Sequence, residues 1–415
     1  MDRQGRAKPG KSRPDVRKPP AAGGIVRTKP DSEREDWAMT GDRDKITSNQ
    51  LMAIMISLLI GIGILSLPRT VTEEAGPDGW LLVLAGGIIV IIISVIISKL
   101  GIMFSGQTVV EYSKAVVTKP LGILFSLGLF VYFVFFTAFE ARVFSEITKQ
   151  FLLDRTPTEA IVVTILISST YLVRQDLATI GRMGEMLVPV FIIIPFLFLI
   201  PAIPEMDLTN LLPFMGTSPV RLLAGMGTIV TSYLGFETLL LFQPLMSRPQ
   251  DAGKAMAVAM TAVMLVYILM VIATVSIFGV FEVQRLIWPT FSVFRAIKIP
   301  GAFMENVHGV IMAIWVVTVY MTLSIFFFAG VTTMGRLLAL KEHSFMVLPL
   351  AFIIYFLAMM PDNIAVLYEY LDMFSIYLGV PFGFVLPLVI YITARVRGMG
   401  KERGKKDGKH PKKSN

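Results

Sequence analysis

Apolar residues run along this chain in long blocks, with none of the strict alternation of a half-exposed strand or the narrow stripe of a surface helix. A bilayer core about 30 Å thick requires about 20 apolar residues per crossing helix. Runs near that length predict spans at residues 47–67, 80–103, 121–151, 160–173, 186–201, 222–246, 256–281, 303–328, 345–360 and 374–392. Ten is an even number, so both termini fall on one side. Lys and Arg outnumber Asp and Glu in the loops 99–119, 174–185, 248–254 and 336–342. The opposite loops carry Glu73, Glu74, Asp78, Glu205, Asp207, Asp362, Glu369 and Asp372, with the loop holding Arg285, Arg295 and Lys298 as the exception. That asymmetry predicts cytoplasmic termini.

Composition sharpens the class. Hydrophobic residues make up 54% of 415 positions and charged residues 16%, with a mean hydropathy of +0.69, more apolar than a water-soluble surface permits. With no cysteine, disulfides, thiolate metal sites and thiol nucleophiles are excluded. His308, His343 and His410 are too scattered for a metal centre, and no cofactor is expected. The formal charge of +8 sits at the ends: 12 Lys/Arg against 8 Asp/Glu in residues 1–45, and 9 against 2 in residues 395–415. Basic ends suit the anionic cytoplasmic leaflet, and no nucleic-acid partner is expected. The expected organisation is a basic disordered cytoplasmic tail at 1–45, rich in Pro and Gly, a membrane domain at 46–397 and a second basic tail at 398–415. The apolar stretch at 21–26 is too short for the core of a cleavable signal peptide.

Two spans are interrupted. The first contains Gly61 and Gly63 in mid-run with Pro68 beyond, and the sixth contains Gly235 beside the ionisable Glu237. In hydrocarbon a helix breaks only where its freed N–H and C=O groups face protein or a cavity. Spans one and six hold corresponding positions in two halves of five, which is the sequence mark of an inverted-repeat transporter fold with a site near the midplane. A ligand carboxylate would meet half-helix N-termini, and its ammonium the unwound carbonyls. Close helix packing is the other reading of the same glycines.

On the third span Tyr132, Phe136 and Glu140 share a face at i, i+4, i+8, as do Thr318, Thr322 and Phe326 on the eighth. Such stripes suit a small amphiphilic ligand, or bonding between helices. Charges inside a span need partners. Arg142 and Glu146 are spaced to pair with one another, and Glu140, Arg142 and Glu237 are the candidate coupling or structural charges.

The segments GIGILSLPRTVTEEAGPDGW (61–80), EARVFSEITKQFLLDRTP (140–157), YLVRQDLATIGRMGEML (171–187), DLTNLLPFMG (207–216), YLGFETLLLFQP (233–244), LIWPT (286–290) and IWVVTVYMT (314–322) resemble, in order over 46–397, the spore germination permease family. These are the B subunits of GerA-type nutrient germinant receptors. The resemblance implies an all-α integral membrane fold of about ten helices, a five-plus-five inverted repeat like that of the amino acid, polyamine and organocation transporters (LeuT/APC-like), with helices one and six broken. It further implies a germinant-sensing role in the spore inner membrane beside an A subunit and a lipoprotein C subunit, with amino acids as the usual ligands. Carried over, the ligand site comprises Gly61, Gly63, Ile64, Tyr132, Phe136, Leu234, Gly235, Phe236, Thr318, Thr322 and Phe326. The prefix 1–45 is longer than the family's usual leader. Two functions stay open on sequence: a receptor that signals to partners without converting its ligand, and a proton-coupled amino acid permease. A membrane enzyme is not expected, since no paired-carboxylate, His-rich or Ser/His constellation lies near a cavity.

Overall fold

The computed structural model describes residues 45–296, 307–340, 342 and 344–399. The tails, apart from Lys45 and residues 398–399, lie outside them, as do His343, His410 and the start of the eighth run. The described residues are mostly helical, with one isolated bridge between Ile46 and Met246 and no strand.

Helix α1 (Ser48–Leu59) begins at a capping box: the Gln50 backbone amide donates to the Thr47 hydroxyl at 3.2 Å and the Thr47 backbone amide to the Gln50 side-chain Oε1 at 3.0 Å. After Ile60–Ile62 the chain resumes as α2 (Gly63–Ala75), which runs straight through Pro68. Proline has no N–H to offer the carbonyl four residues back, here that of Ile64. The Thr290 hydroxyl donates to that oxygen at 2.7 Å, so the helix survives its proline. Gly76, at φ 56°, then reverses the chain, and Gly79 at the head of α3 (Gly79–Met103) packs back on Val71.

A short helix α4 (Val109–Val116), capped by Thr108 and Glu111, leads into the 33-residue α5 (Lys119–Phe151). Then come α6 (Thr158–Val173) and α7 (Leu177–Leu199). The fifth run starts nearer 177 than 186, because exposed Arg182 and Glu185 in the first turns lower the local hydropathy. In the loop beyond, the Thr209 hydroxyl and amide hold the Asp207 carboxyl below its ordinary range. The same loop is fastened to the α2–α3 turn by buried Asp78, whose two oxygens accept from the amides of Met215 and Thr217, each at 2.8 Å.

Helix α8 (Pro219–Thr231) and the segment holding α9 (Leu239–Phe242) are bent by 55° about the residues between them. They are followed by α10 (Ala252–Phe278), α11 (Val280–Val283), α12 (Pro289–Ala296), α13 (Val307–Leu337), α14 (Val347–Ala358), α15 (Ile364–Phe374) and α16 (Leu386–Val396). Two π-helical turns, Ser375–Gly379 and Pro381–Val385, join the last pair into one long helix. That helix begins ten residues before the tenth apolar run, since its first turns carry Tyr368, Glu369 and Asp372 toward a cavity.

Among the described residues six helices are long and apolar enough to cross a membrane, seven if the bent pair is one span, and three shorter apolar helices accompany them. The helix through Gly63–Met103 counts once by length, yet the reversal at Gly76 makes it two rods. Large apolar side chains such as Ile92, Ile193, Leu265 and Phe352 stay exposed on four different helices, as lipid contact requires. The chain is a multi-pass membrane protein. Its inner contacts use small residues: a Cβ on Gly87 of α3 would fall 2.6 Å from Met264 Sδ of α10, so glycine lets these two helices approach with Met264 in place.

Candidate functional site

The gap between α1 and α2 leaves carbonyls without their helical donors, and side chains from distant helices replace them. The Thr322 hydroxyl of α13 donates to Ser57 O at 2.9 Å, and the Tyr267 hydroxyl of α10 to Leu59 O at 2.5 Å. The amides of Ile62 and Gly63 donate to no group among the described residues. They form an unsatisfied pair at the head of α2, where the helix dipole favours an anion.

Gly61 and Gly63 serve different ends. A Cβ on Gly61 would overlap Thr322 Oγ1 and lie 3.0 Å from Thr322 Cβ, so glycine is required there for space. A Cβ on Gly63 would meet Ser232 O and Tyr267 Oη at an ordinary 3.5 Å.

The second break spans 232–235 and ends at Gly235, whose φ of 121° is closed to L side chains. A Cβ there would also lie 3.0 Å from Leu58, so the two broken helices touch at this point. Fully buried Glu237 holds the break in shape. Its Oε2 accepts from the Gly235 amide at 2.8 Å and its Oε1 from the Tyr132 hydroxyl at 2.6 Å, tying the break to α5.

Beside the breaks lies a cavity of about 1050 Å³. One end is apolar, formed by Leu58, Phe136, Leu234 and Phe326, with the rings of Phe136 and Phe326 5.6 Å apart. The other end carries Arg69, Glu73, Glu74, Glu369 and Asp372. Arg69 and Glu73 pair at 2.8 Å with side chains 39% and 46% exposed, so this end is the mouth. From Gly63 to Glu74 along α2 is about 16 Å at 1.5 Å per residue, depth enough for a small nutrient.

Of the residues singled out from sequence, Gly63, Phe136, Leu234 and Phe326 share the wall of this cavity, and Glu140 joins them. The others stand behind it. Gly61 and Thr322 press together at the first break; Gly235 packs on Leu58; Tyr132 is sealed against Glu237; Phe236 is buried edge-on to Phe384, 5.0 Å between centroids. Ile64 and Thr318 border a separate small apolar cavity of about 60 Å³, and the Thr318 hydroxyl donates to Ile314 O within its own helix. Arg142 turns away from the cavity, with Nε 3.0 Å from Glu146 Oε1 and Nη1 3.9 Å from Met359 Sδ.

Sequence reasoning missed Tyr267, Thr290 and Tyr368. The first two cap broken-helix carbonyls, and the third lines the cavity. Tyr267 carries a usable signal, a lone phenol within an apolar helix; Thr290 and Tyr368 fall outside the apolar runs and carry none.

The sequence and fold were compared with known proteins. The profile of the family described as spore germination protein matches residues 45–366. The chain belongs to the spore germination protein family. It is 32% identical to spore germination protein YndE of Bacillus subtilis (strain 168) over 88% of this chain and 100% of that one. It is 26% identical to spore germination protein A2 of the same organism, over 85% of this chain and 96% of the relative. Spore germination protein GerLB of Bacillus cereus is also 26% identical, over 85% and 95%. In three dimensions this family member is similar to MhsT in its crystal structure with L-phenylalanine: TM-score 0.63, 15% identity, covering 82% of this chain and 87% of that one. At that identity the likeness is one of fold, and the fold is LeuT-like.

Proposed function

We propose that this spore germination protein is the membrane subunit of a nutrient germinant receptor, which binds a small amino acid in the cavity beside the two broken helices. The observation that carries the reading is the contact between a 1050 Å³ cavity and the α1–α2 break, where two amides lack partners. A bound carboxylate would satisfy them, and aromatic walls at Phe136 and Phe326 would exclude water. The relatives' names supply the physiological setting.

In this reading the ligand is not converted. It favours one of two arrangements of the broken helices, which A-type and C-type subunits read in the spore inner membrane. Ten spans form two sets of five: α1 with α2, α3, α5, α6 and α7, then α8 with α9, α10, α13, α14 and α15 with α16. Two features support the pairing. Each set opens on a broken helix, and α3, α4, α5 repeats as α10, α12, α13, a long, short, long succession. The membrane domain spans 46–397 between basic cytoplasmic tails. The remaining sequence-derived residues, Gly61, Ile64, Tyr132, Gly235, Phe236, Thr318 and Thr322, support the site from behind rather than touch the ligand.

The test is germination of spores that carry this chain and its partner subunits as their only receptor, challenged with each of the twenty L-amino acids. A nutrient that triggers loss of optical density should need at least about tenfold more to act on the Gly63→Leu variant, whose side chain adds bulk to the cavity wall beside Ser232. An unchanged dose response, with the variant present at the normal level, would overturn the site.

The LeuT-like fold favours a second reading, a proton-coupled amino acid permease, although a fold does not fix a function. Robust accumulation of a labelled amino acid by proteoliposomes holding this subunit alone would select it over the receptor.

A further inference from the structure

Glu140 is the cavity residue that the proposed site leaves unexplained. It lies on α5 one turn beyond Phe136, on the same face, and lines the cavity with it. Its Oε2 is sealed from solvent and accepts no hydrogen bond. Arg142, the cation nearest in sequence, is two positions along the helix and engages Glu146 and Met359 instead. The cavity offers no other counter-ion: its one basic residue, Arg69, pairs with Glu73 at the mouth. The walls therefore hold five carboxylates, those of Glu73, Glu74, Glu140, Glu369 and Asp372, against one guanidinium.

A carboxylate taken from water into such a site is retained at a cost unless a donor reaches it. The natural donor is a group the ligand brings.

We infer that the cavity takes a ligand of net positive charge, a diamino acid or related amine, whose ammonium donates to Glu140. This inference rests on the cavity being the nutrient site. A neutral amino acid would place one positive charge among these carboxylates and add a negative one, whereas a diamino acid can set its carboxylate at the Ile62 and Gly63 amides and still supply a cation to Glu140. The acidic mouth acts in the same direction, concentrating cations at the entrance and repelling acidic nutrients. A charge-assisted hydrogen bond to a carboxylate shielded from water is worth about tenfold or more in affinity.

The experiment uses the full-length protein in nanodiscs and two probes, L-lysine and L-norleucine, which differ by the terminal ammonium. Binding is measured by calorimetry at fixed pH and ionic strength. The wild type should bind lysine about tenfold or more tightly than norleucine. Glu140→Gln should erase that preference, and Glu140→Asp should keep part of it. Glu282→Gln removes an exposed charge on α11, away from the cavity, and should leave the preference intact. Norleucine bound as tightly as lysine by the wild type, or a lysine preference that survives in Glu140→Gln, would overturn the role of Glu140 while sparing the nutrient site. Failure of the wild type to bind either probe, or any of the twenty amino acids, would overturn the site itself and this inference with it.

Discussion

Replacing Gly61 by alanine adds one methyl group, and the structure gives it nowhere to go. The new Cβ would overlap the Thr322 hydroxyl oxygen and sit 3.0 Å from both Thr322 Cβ and Cγ2. Relief requires Thr322 to rotate or the helices to part, and either movement takes the hydroxyl from the Ser57 carbonyl it now meets at 2.9 Å. Overpacking costs about 1–3 kcal/mol and the lost hydrogen bond about 1 kcal/mol, so Gly61→Ala should destabilise by about 2–4 kcal/mol. Gly63→Ala, two residues on, meets nothing closer than 3.5 Å and gains helix propensity, so its effect should stay within about 1 kcal/mol. Reversible unfolding of the purified variants in mixed micelles measures both. In a double-mutant cycle Thr322→Ala should recover at least about 1 kcal/mol of the Gly61→Ala loss. Equal costs at Gly61 and Gly63, or strict additivity with Thr322→Ala, would refute the close contact.

Three further outcomes follow from single contacts. Tyr132→Phe and Glu237→Gln, made singly and together, should show a coupling of about 1–3 kcal/mol in the same unfolding assay, since the first leaves the buried Glu237 Oε1 without its donor and the second sets a side-chain NH2 against either the Tyr132 hydroxyl or the Gly235 amide. Gly235→Ala forces a side chain onto φ 121° and against Leu58, which should cost at least about 2 kcal/mol and weaken any nutrient response in the spore assay. Asp78→Asn sets an amide against the Met215 or Thr217 amide, so hydrogen exchange at 212–217 should accelerate about tenfold or more while α5 is unaffected.

The interruptions at Gly61 and Gly235 are legible in the sequence because each falls in mid-run beside a second break signal, Gly63 with Pro68 or the ionisable Glu237, and the structure breaks the chain at both. What the sequence conceals is how each break is satisfied. The proton donors to the α1–α2 carbonyls come from Tyr267, Thr290 and Thr322, between 208 and 265 residues away, and only the fold brings them there. Glu237 reads as a charge in search of a partner, and its partner is Tyr132, 105 residues earlier. The stripe of Tyr132, Phe136 and Glu140 is a correct helical face with two environments: its first turn is sealed, and its next two open on the cavity. Periodicity assigns residues to a face, whereas burial along that face depends on what packs above it. The tenth run reads too short for a similar reason, since polar side chains turned toward an internal cavity look like a loop to any hydropathy window.

The chain contains no cysteine, so a single introduced thiol reports on one position alone. Leu234→Cys places that thiol on the apolar wall of the cavity, against the second break. The rate of its reaction with a methanethiosulfonate reagent, measured on the nanodisc-embedded protein with and without each of the twenty L-amino acids at millimolar concentration, reads cavity occupancy directly. A nutrient active in the spore assay should slow the reaction several-fold, with no effect on a thiol at Glu282→Cys. A rate at Leu234→Cys unchanged by every amino acid would contradict the claim that the cavity beside the broken helices is where this protein senses its nutrient.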